Sequence, residues 1–347
     1  MRELDTSVSV VIPCRNERRH IIGCVDSVIG NDYTSDIEIL IVDGHSTDGT
    51  REVIAKNSQR WRNVILLDNP SQTTPAALNI GIREAHGNVI VRMDAHCRYP
   101  DNYIRTLVEW LERSGADNVG ATCRTLPGSD TATARAIAIA LSHPFGVGNS
   151  HFRVGTATPK WVDTVPFGCY RRSVFERIGL FDEELAKNQD DEFNQRLLKS
   201  GGRILLVPDI TVDYFARDSL SKVWRMYFQY GYYKPLVARK LGYVGTIRQV
   251  VPAVFVAALG SAILLSPWIR FSRFALAAIL AAYAIGLLAA VVSASRKSVD
   301  IRTVGMIGAV FPALHLAYGW GSIRGIFRFL VLRRGAPPPN RSAAVSR

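Results

Sequence analysis

A chain of 347 residues is long enough to bury one large core or two smaller ones, so neither a disulfide-stapled miniprotein nor a wholly disordered chain is at issue. Its formal charge of +12 with 48% hydrophobic residues points to a membrane surface rather than nucleic acid, because the cations gather around apolar stretches and no nucleic-acid module pattern is visible. Five cysteines (Cys14, Cys24, Cys97, Cys123, Cys169) are odd in number, widely spaced and without a C-x-x-C pair, which argues against a disulfide framework and a structural zinc site and for reduced thiols.

The N-terminal stretch "MRELDTSVSVVIPCRNE" breaks its apolar run with Pro13, Arg15 and Glu17, so no cleavable signal is expected and the N-terminal region is placed in the cytoplasm. From residue 8 to 123 short β-branched runs ("VSVVI", "IEILIV", "NVILLD", "NVIVRM", "NVGATC") alternate with helical patterns such as Glu17 to Ile29 and Pro75 to Ala85. That rhythm predicts βαβ units and a mostly parallel sheet in an α/β domain. Residues 126 to 167 are rich in Gly, Pro and Thr and read as loops shaping a pocket, apart from the Ala-rich Thr131 to Leu141.

Between 215 and 248 aromatic residues (Trp224, Tyr227, Phe228, Tyr230) interleave with cations (Lys222, Arg225, Lys234, Arg239), the mixture favoured by a lipid headgroup layer, and predict an interfacial collar. Three charge-free stretches follow, Val250 to Ile269, Phe274 to Ser295 and Thr303 to Ile323, each about the ~20 residues needed to cross a bilayer. Three crossings would strand Arg324, Arg328, Arg333 and Arg334 outside, against the positive-inside bias. The third stretch, interrupted by Pro312, His315 and several Gly, is therefore left open between a full crossing and a re-entrant or interfacial course. The organisation expected is an α/β domain over 1–214, the collar over 215–248, two or three membrane segments over 249–332, and a disordered tail over 333–347.

The chemistry-bearing residues stand directly after the strand runs, where ligands of open α/β sheets bind. After "VSVVI" comes "PCRNE", after "IEILIV" comes "DGHSTDGT", and after "NVIVRM" comes "DAH". Turn formation alone would be served by Asn or Ser, whereas Asp43 and Asp94 are acids. A carboxylate at the first place can accept the imide N–H of a uracil ring, and one at the second can hold a divalent cation bridging a diphosphate. Later, "NQDDEFNQRLLKSGG" sets Asp190, Asp191 and Glu192 side by side at the start of an amphipathic run. One acid suffices to cap a helix, so the others invite a second task.

Five segments in register, "VSVVIPCRNE", "EILIVDGHSTDGT", "ALNIGIREAHGNVIVRMDAH", "PFGCYRRSVFERIGLFDEEL" and "NQDDEFNQRLLKSGG", resemble family 2 glycosyltransferases of the Rossmann-like GT-A fold over roughly residues 7 to 207. Within that family "DAHCRYP", "HPFGVGN", "VDTVPFG" and "FQYGYYK" resemble the membrane-associated succinoglycan-type exopolysaccharide enzymes. The resemblance implies that Pro13, Arg15, Glu17, Asp43 and Asp94 line the donor nucleotide and that Asp48 belongs to the turn beyond it. It implies that Asp94 and His96 occupy the D-x-D metal motif for Mn²⁺ or Mg²⁺, and that Asp190 is the catalytic base. Gly168, Asp191 and Arg196 then stand on the acceptor side or support it, with Asp191 or Glu192 capping the helix.

The reaction implied is inverting transfer of one sugar from a nucleotide-diphosphate donor, such as a UDP-sugar, to a polyprenyl-linked saccharide at a bacterial-type inner membrane. Its partners would be donor, lipid-linked acceptor and membrane lipids, with no nucleic acid. Two departures stand out: Gly44 replaces a second Asp, and His96 replaces the last acid of D-x-D. An imidazole donor suits Mn²⁺ better than Mg²⁺. A processive polysaccharide synthase is the nearest rival, but Gln229 is followed by "YGYY" instead of a Q-x-x-R-W motif. A non-catalytic nucleotide-binding scaffold is the other rival, and it would not need Asp43, Asp94 and Asp190 together.

Overall fold

The computed structural model describes residues 6–295 and 300–337. In chain order the elements are β1 (Val8–Cys14), α1 (Ile21–Ile29), β2 (Ile37–Asp43), α2 (Thr50–Asn57), β3 (Val64–Asp68), α3 (Thr74–Glu84), β4 (Val89–Arg92), β5 (Cys97–Arg98), α4 (Tyr103–Ser114) and β6 (Asn118–Leu126). Then come α5 (Ala132–Ala140), α6 (Pro144–Val147), α7 (His151–Val154), β7 (Lys160–Trp161), β8 (Cys169–Arg171), α8 (Arg172–Ile178), α9 (Gln189–Lys199) and β9 (Ile204–Phe215). The chain continues with α10 (Leu220–Leu241), α11 (Val251–Leu265), α12 (Arg270–Ser295) and α13 (Ile301–Gly325). The chain divides into two compact units, one built from 6–124 and 155–214, the other from 125–154 and 215–336.

The first unit holds a nine-stranded sheet in the order β3-β2-β1-β4-β8-β6-β9-β5, with β7 pairing β9. All five runs read as strands in the sequence are strands. Val10, Val11, Ile12, Leu40, Ile41 and Val91 are almost completely buried, as expected for strands covered on both faces. The sheet is mixed: β1, β2, β3 and β4 pair in parallel, and β8 joins β4 and β6 antiparallel, as do β5 and β7 with β9. Parallel pairing thus covers the half of the sheet whose strands follow the βαβ rhythm. The antiparallel half has no such rhythm in sequence, because its strands are two to three residues long or are separated by irregular chain.

Going from β1 the chain moves outward to β2 and β3, then returns past β1 to β4. The point where the order reverses lies between β1 and β4, and a crevice opens there beyond the carboxyl ends of the strands. All five cysteines are buried free thiols, in line with the expectation of reduced sulfur.

The second unit is helical. The Ala-rich stretch Thr131 to Leu141, excepted from the loops expected over 126–167, is helix α5 with Ala134, Ala136, Ile137 and Ala140 buried, and residues 125–154 belong with the C-terminal helices. Among the described residues three helices are long and apolar enough to cross a membrane: Ile247–Leu265, Arg270–Ser295 and Ile301–Val331. The third runs through Pro312 without a break and ends in a π-helical turn over Ile326–Val331.

Gly319, Gly321 and Gly325 of α13 are seats for neighbouring backbone. A Cβ on Gly321 would stand 2.1 Å from the Phe228 carbonyl of α10, and one on Gly325 would stand 2.2 Å from that of Tyr232. From the other side a Cβ on Gly231 would stand 2.0 Å from the Tyr318 carbonyl. Small residues at a helix crossing let the backbones approach this closely. The expected collar is therefore a helix over 220–241 with one face, including Val223, Met226 and Leu236, buried. Of the expected tail, residues 338–347 lie outside the described residues.

Candidate active site

Three loops meet at the crevice. The β1 loop (13–20) and β2 loop (43–50) are laced together by hydrogen bonds from Asn16 N to Ser46 Oγ at 2.8 Å, from Thr47 N to Asn16 Oδ1 at 2.8 Å and from Glu17 N to Thr50 Oγ1 at 2.9 Å. Asp48 accepts from Thr50 N at 3.0 Å and from Arg18 N at 3.2 Å, so it fixes the turn beyond β2. Burial alone would raise its pKa, but the bonds from Thr50 and Arg18 outweigh that and lower it.

The β1 loop is joined to the β4 loop by His96, whose Nδ1 lies 3.1 Å from Glu17 Oε1. A neutral imidazole that donates Nδ1–H to this carboxylate carries its lone pair on Nε2, the nitrogen then suited to a metal. Glu17 is buried, and its Oε2 has no hydrogen-bond partner.

Asp43 ends β2 opposite Cys14 and is fully buried. Its carboxylate accepts from Ser46 N at 3.0 Å, Ser46 Oγ at 2.5 Å and Arg51 Nη1 at 3.0 Å, and Arg51 also reaches Asp68 at 2.6 Å. Asp43 therefore shapes the loop and holds Arg51 from beneath. The departure at Gly44 has a steric counterpart: a Cβ there would stand 3.3 Å from Arg15 Cδ, and Arg15 lies across that glycine.

At the centre sits a residue that the sequence reading passed over. Arg92, buried at the end of β4, reaches Asp94 Oδ1 at 2.9 Å with Nη2 and Asp190 Oδ2 at 2.7 Å with Nη1. Its guanidinium carbon lies 5.6 Å from the Phe167 ring centroid. Desolvation opposes its charge, but the neighbouring Asp190 and Asp94 carboxylates prevail and raise its pKa. A signal existed in "NVIVRMDAH": in a strand, residues i and i+2 face the same side, so a cation inside a buried run two residues before Asp94 needs an acid partner nearby. The second acid, Asp190, is 96 residues further on, and no local pattern points to it.

Asp190 lies in the first turn of α9, after Asn188 in a left-handed conformation. Burial raises its pKa, with Asp94 and Asp191 adding to the rise and Arg92 opposing it. Its Oδ2 is held by Arg92, its Oδ1 has no hydrogen-bond partner, and 28% of the side chain stays exposed. The carboxylate is thus fixed at one oxygen, while the other is buried without a hydrogen-bond partner.

The remaining acids divide differently from the expectation. Glu192 does not cap α9; it forms a bidentate pair with Arg196 at 2.8 and 2.9 Å, and Arg196 donates to the carbonyls of Leu180 at 2.8 Å and of Ile178. Asp191 shares the first turn, facing the macrodipole without a side-chain cap at Asn188. Arg196 is a clamp that ties α9 to the 178–180 loop. Gly168 supports the centre through its backbone: its carbonyl accepts from Arg92 N at 3.0 Å, and a Cβ there would stand 2.4 Å from Asn118 Oδ1 and 2.5 Å from Tyr170 Cζ.

The register places these groups on one rim. Val11 pairs with both Leu40 and Arg92, so Asp94 lies level with Val42, one residue from Asp43, two strands away or about 10 Å across the sheet. Pro13, within β1, stands between them. Asp94 and His96 offer two side-chain donors for a cation, and among the described residues no group of three or more His, Cys, Asp and Glu could hold a metal alone. That donor set fits a cation completed by substrate phosphates and water.

A parallel half-sheet, an acid rim at the switch point and a buried carboxylate beyond it are the arrangement of a GT-A-type fold. The family model for glycosyl transferase family 2 matches residues 9–179. Succinoglycan biosynthesis protein ExoA of Rhizobium meliloti is 33% identical over 266 residues, covering 76% of this chain and 80% of that protein. The chain belongs to glycosyltransferase family 2.

A Methanococcus voltae enzyme, a dolichyl N-acetyl-α-D-glucosaminyl phosphate 3-β-D-2,3-diacetamido-2,3-dideoxy-β-D-glucuronosyltransferase, is 29% identical over 67% of this chain and 74% of its own. Among solved structures, the Pyrobaculum calidifontis mannosyltransferase PcManGT in complex with GDP-Man and Mn²⁺ shares the fold with a TM-score of 0.56 at 20% identity, over 90% of this chain and 87% of that one. Staphylococcus aureus TarS 1–349 in complex with UDP gives 0.51 at 14% identity, over 93% and 91%.

Proposed function

We propose that this glycosyltransferase moves one sugar, with inversion at the anomeric carbon, from a nucleotide-diphosphate donor to a hydroxyl of a lipid-linked saccharide. The observation that carries the reading is the Asp94–Arg92–Asp190 chain beyond the strand ends, with Asp190 Oδ1 left without a hydrogen-bond partner. Pro13, Arg15 and Glu17 line the nucleotide, and Asp43 serves the base from beneath; an imide N–H of uracil reaches Asp43 by replacing the Ser46 hydroxyl. A UDP-sugar is the donor that such an imide contact selects. Asp94 and His96 would hold the divalent cation, which, when bound, neutralises charge on the departing diphosphate.

Arg92 holds Asp190 in one orientation and offsets the repulsion between Asp190 and Asp94. Asp190 Oδ1 accepts the proton of the incoming hydroxyl as that oxygen attacks from the face opposite the diphosphate. A single displacement through one base leaves an inverted centre. The lipid-linked acceptor is supported by the three apolar helices and by relatives named for succinoglycan biosynthesis and for transfer to a dolichyl phosphate sugar. A cytoplasmic placement of the first unit, against the inner face of a bacterial-type membrane, completes the reading.

The test is a donor screen on membranes containing the protein, with lipid extract as acceptor and mass detection of products. One added hexose, release of nucleoside diphosphate, loss of both in Asp190→Asn, and loss on chelation with recovery in Mn²⁺ are the expected results. A ladder of products would support the processive rival, and nucleotide binding without turnover would support the scaffold.

A further inference from the structure

We propose that the second unit crosses the bilayer twice, as an α11–α12 hairpin, and that α13 stays at the near interface with α10, so that residue 335 lies on the same side as the catalytic unit. This inference holds whether or not the sugar donor is the one proposed above.

The neighbours of α13 decide its course. Along its second half it is covered by α10, running in the same direction: Gly231 meets Tyr318, Tyr232 meets Gly325, and Arg239 Nη1 donates to the carbonyls of Phe329 at 2.8 Å and Arg334 at 3.2 Å. Along its first half it is covered by α5 and α6, and near its middle it also meets α11 and α12: a Cβ on Gly319 would stand 2.2 Å from the Pro252 carbonyl at the start of α11, and Tyr283 Oη of α12 lies 2.8 Å from His315 Nδ1. Arg135 of α5 reaches Asp300 at 3.2 Å, and the His143 ring lies 5.5 Å from that of Phe311.

Helix α10 carries Lys222, Arg225, Lys234, Arg239 and Lys240 and is not among the helices apolar enough to cross a membrane. A crossing α13 would have to draw this cationic helix into hydrocarbon beside it, where ammonium and guanidinium groups are costly. Lying at the interface, the same pair presents its cations and tyrosines to headgroups.

The α11–α12 hairpin has the opposite character. Ile263, Leu264, Phe274, Leu280 and Ile285 are exposed, and the span Ile247–Leu265, 19 residues, reaches about 28 Å as a helix, close to the ~30 Å hydrocarbon thickness. Its tip reads "WIRFSRF" (268–274). Trp268 and Phe271 are 76% and 77% exposed, which in water would be an unfavourable display and at a far headgroup layer is an anchor. Arg273 turns back to the carbonyls of Ser266 at 2.7 Å and Pro267 at 3.1 Å, closing the end of α11. Two crossings also keep Arg324, Arg328, Arg333 and Arg334 on the side where positive charge is favoured.

The native cysteines are buried, so single cysteines can be read against the unaltered full-length chain. Gln59→Cys in the catalytic unit, Ile269→Cys at the tip and Gly335→Cys after α13 are labelled with a membrane-impermeant maleimide in sealed right-side-out and inverted vesicles. Positions 59 and 335 should label together in inverted vesicles, and position 269 alone in right-side-out ones. Labelling of 335 on the side of 269 would overturn the proposal in favour of three crossings. Labelling of 269 with 59, or its protection in both vesicle types until detergent is added, would overturn it by showing that the tip does not emerge.

Discussion

Asp190 is under opposing influences: burial and neighbouring acids disfavour its charge, and Arg92 favours it. Burial and the nearby Asp94 and Asp191 push its pKa up while the Arg92 contact pulls it down, with a net rise. A general base must be deprotonated to act, so transfer should increase as pH rises through that elevated value, and the acid limb of kcat should lie above the ~3.9 of a free Asp. A pH profile flat down to 4 would contradict this. Asp190→Asn should lower kcat by about 10²–10⁴-fold with donor binding retained, as read by single-turnover assay.

Arg92→Met removes the cation from between two acids. The mutant should lose about 3–5 kcal/mol of stability, because breaking a buried pair leaves charge uncompensated, and in the folded fraction the acid limb should move to higher pH. Arg196→Met, by contrast, should lower the denaturation midpoint while leaving the acid limb in place, since Arg196 touches Glu192 and backbone carbonyls and not Asp190. The pair separates a residue that tunes the base from one that only fastens its helix.

At the scale of elements, the strands that carry the acids were legible because their runs are continuous and β-branched, and the acids follow them directly. The parallel half of the sheet follows from local pattern. Strand β8 was not legible: Cys169–Arg171 is three residues long and earns its place by bonding β4 and β6 at once. The glycines of α13 illustrate the same limit. In sequence they weaken a helix, and with Pro312 they suggest an interrupted segment. In the fold Gly321 and Gly325 are where α10 lies against it. Gly321→Val should separate the two helices, since even a Cβ would stand 2.1 Å from the Phe228 carbonyl. A loss of about 1–3 kcal/mol is expected from such overpacking, seen as a lower melting temperature in detergent, with the soluble-unit mutations additive to it.

Across the whole molecule, apolar helices long enough to cross a membrane accompany a formal charge of +12. Attachment through inserted helices and attachment through surface cations respond to different treatments. High salt screens the cations over a Debye length of about 3 Å at 1 M, yet the exposed apolar helices remain in lipid. A 1 M salt wash should leave the protein in the membrane pellet and detergent should release it. Release by salt alone would show that the apolar helices do not insert.

The sequence by itself determined the α/β class, the order of the acid-bearing loops, the reduced cysteines, the apolar C-terminal helices and the family resemblance, because each is written in neighbouring residues or in a period of two or 3.6. The tertiary structure alone decided that Arg92 stands between Asp94 and Asp190, that Glu17 turns His96, that Glu192 serves a clamp instead of a cap, and that α13 is sheathed by α10. Apart from the local pairs Arg92–Asp94 and Glu192–Arg196, these are contacts between residues far apart in the chain, such as Glu17 with His96 and Arg92 with Asp190. Their energy depends on burial and on distances of a few ångströms, neither of which a linear pattern contains.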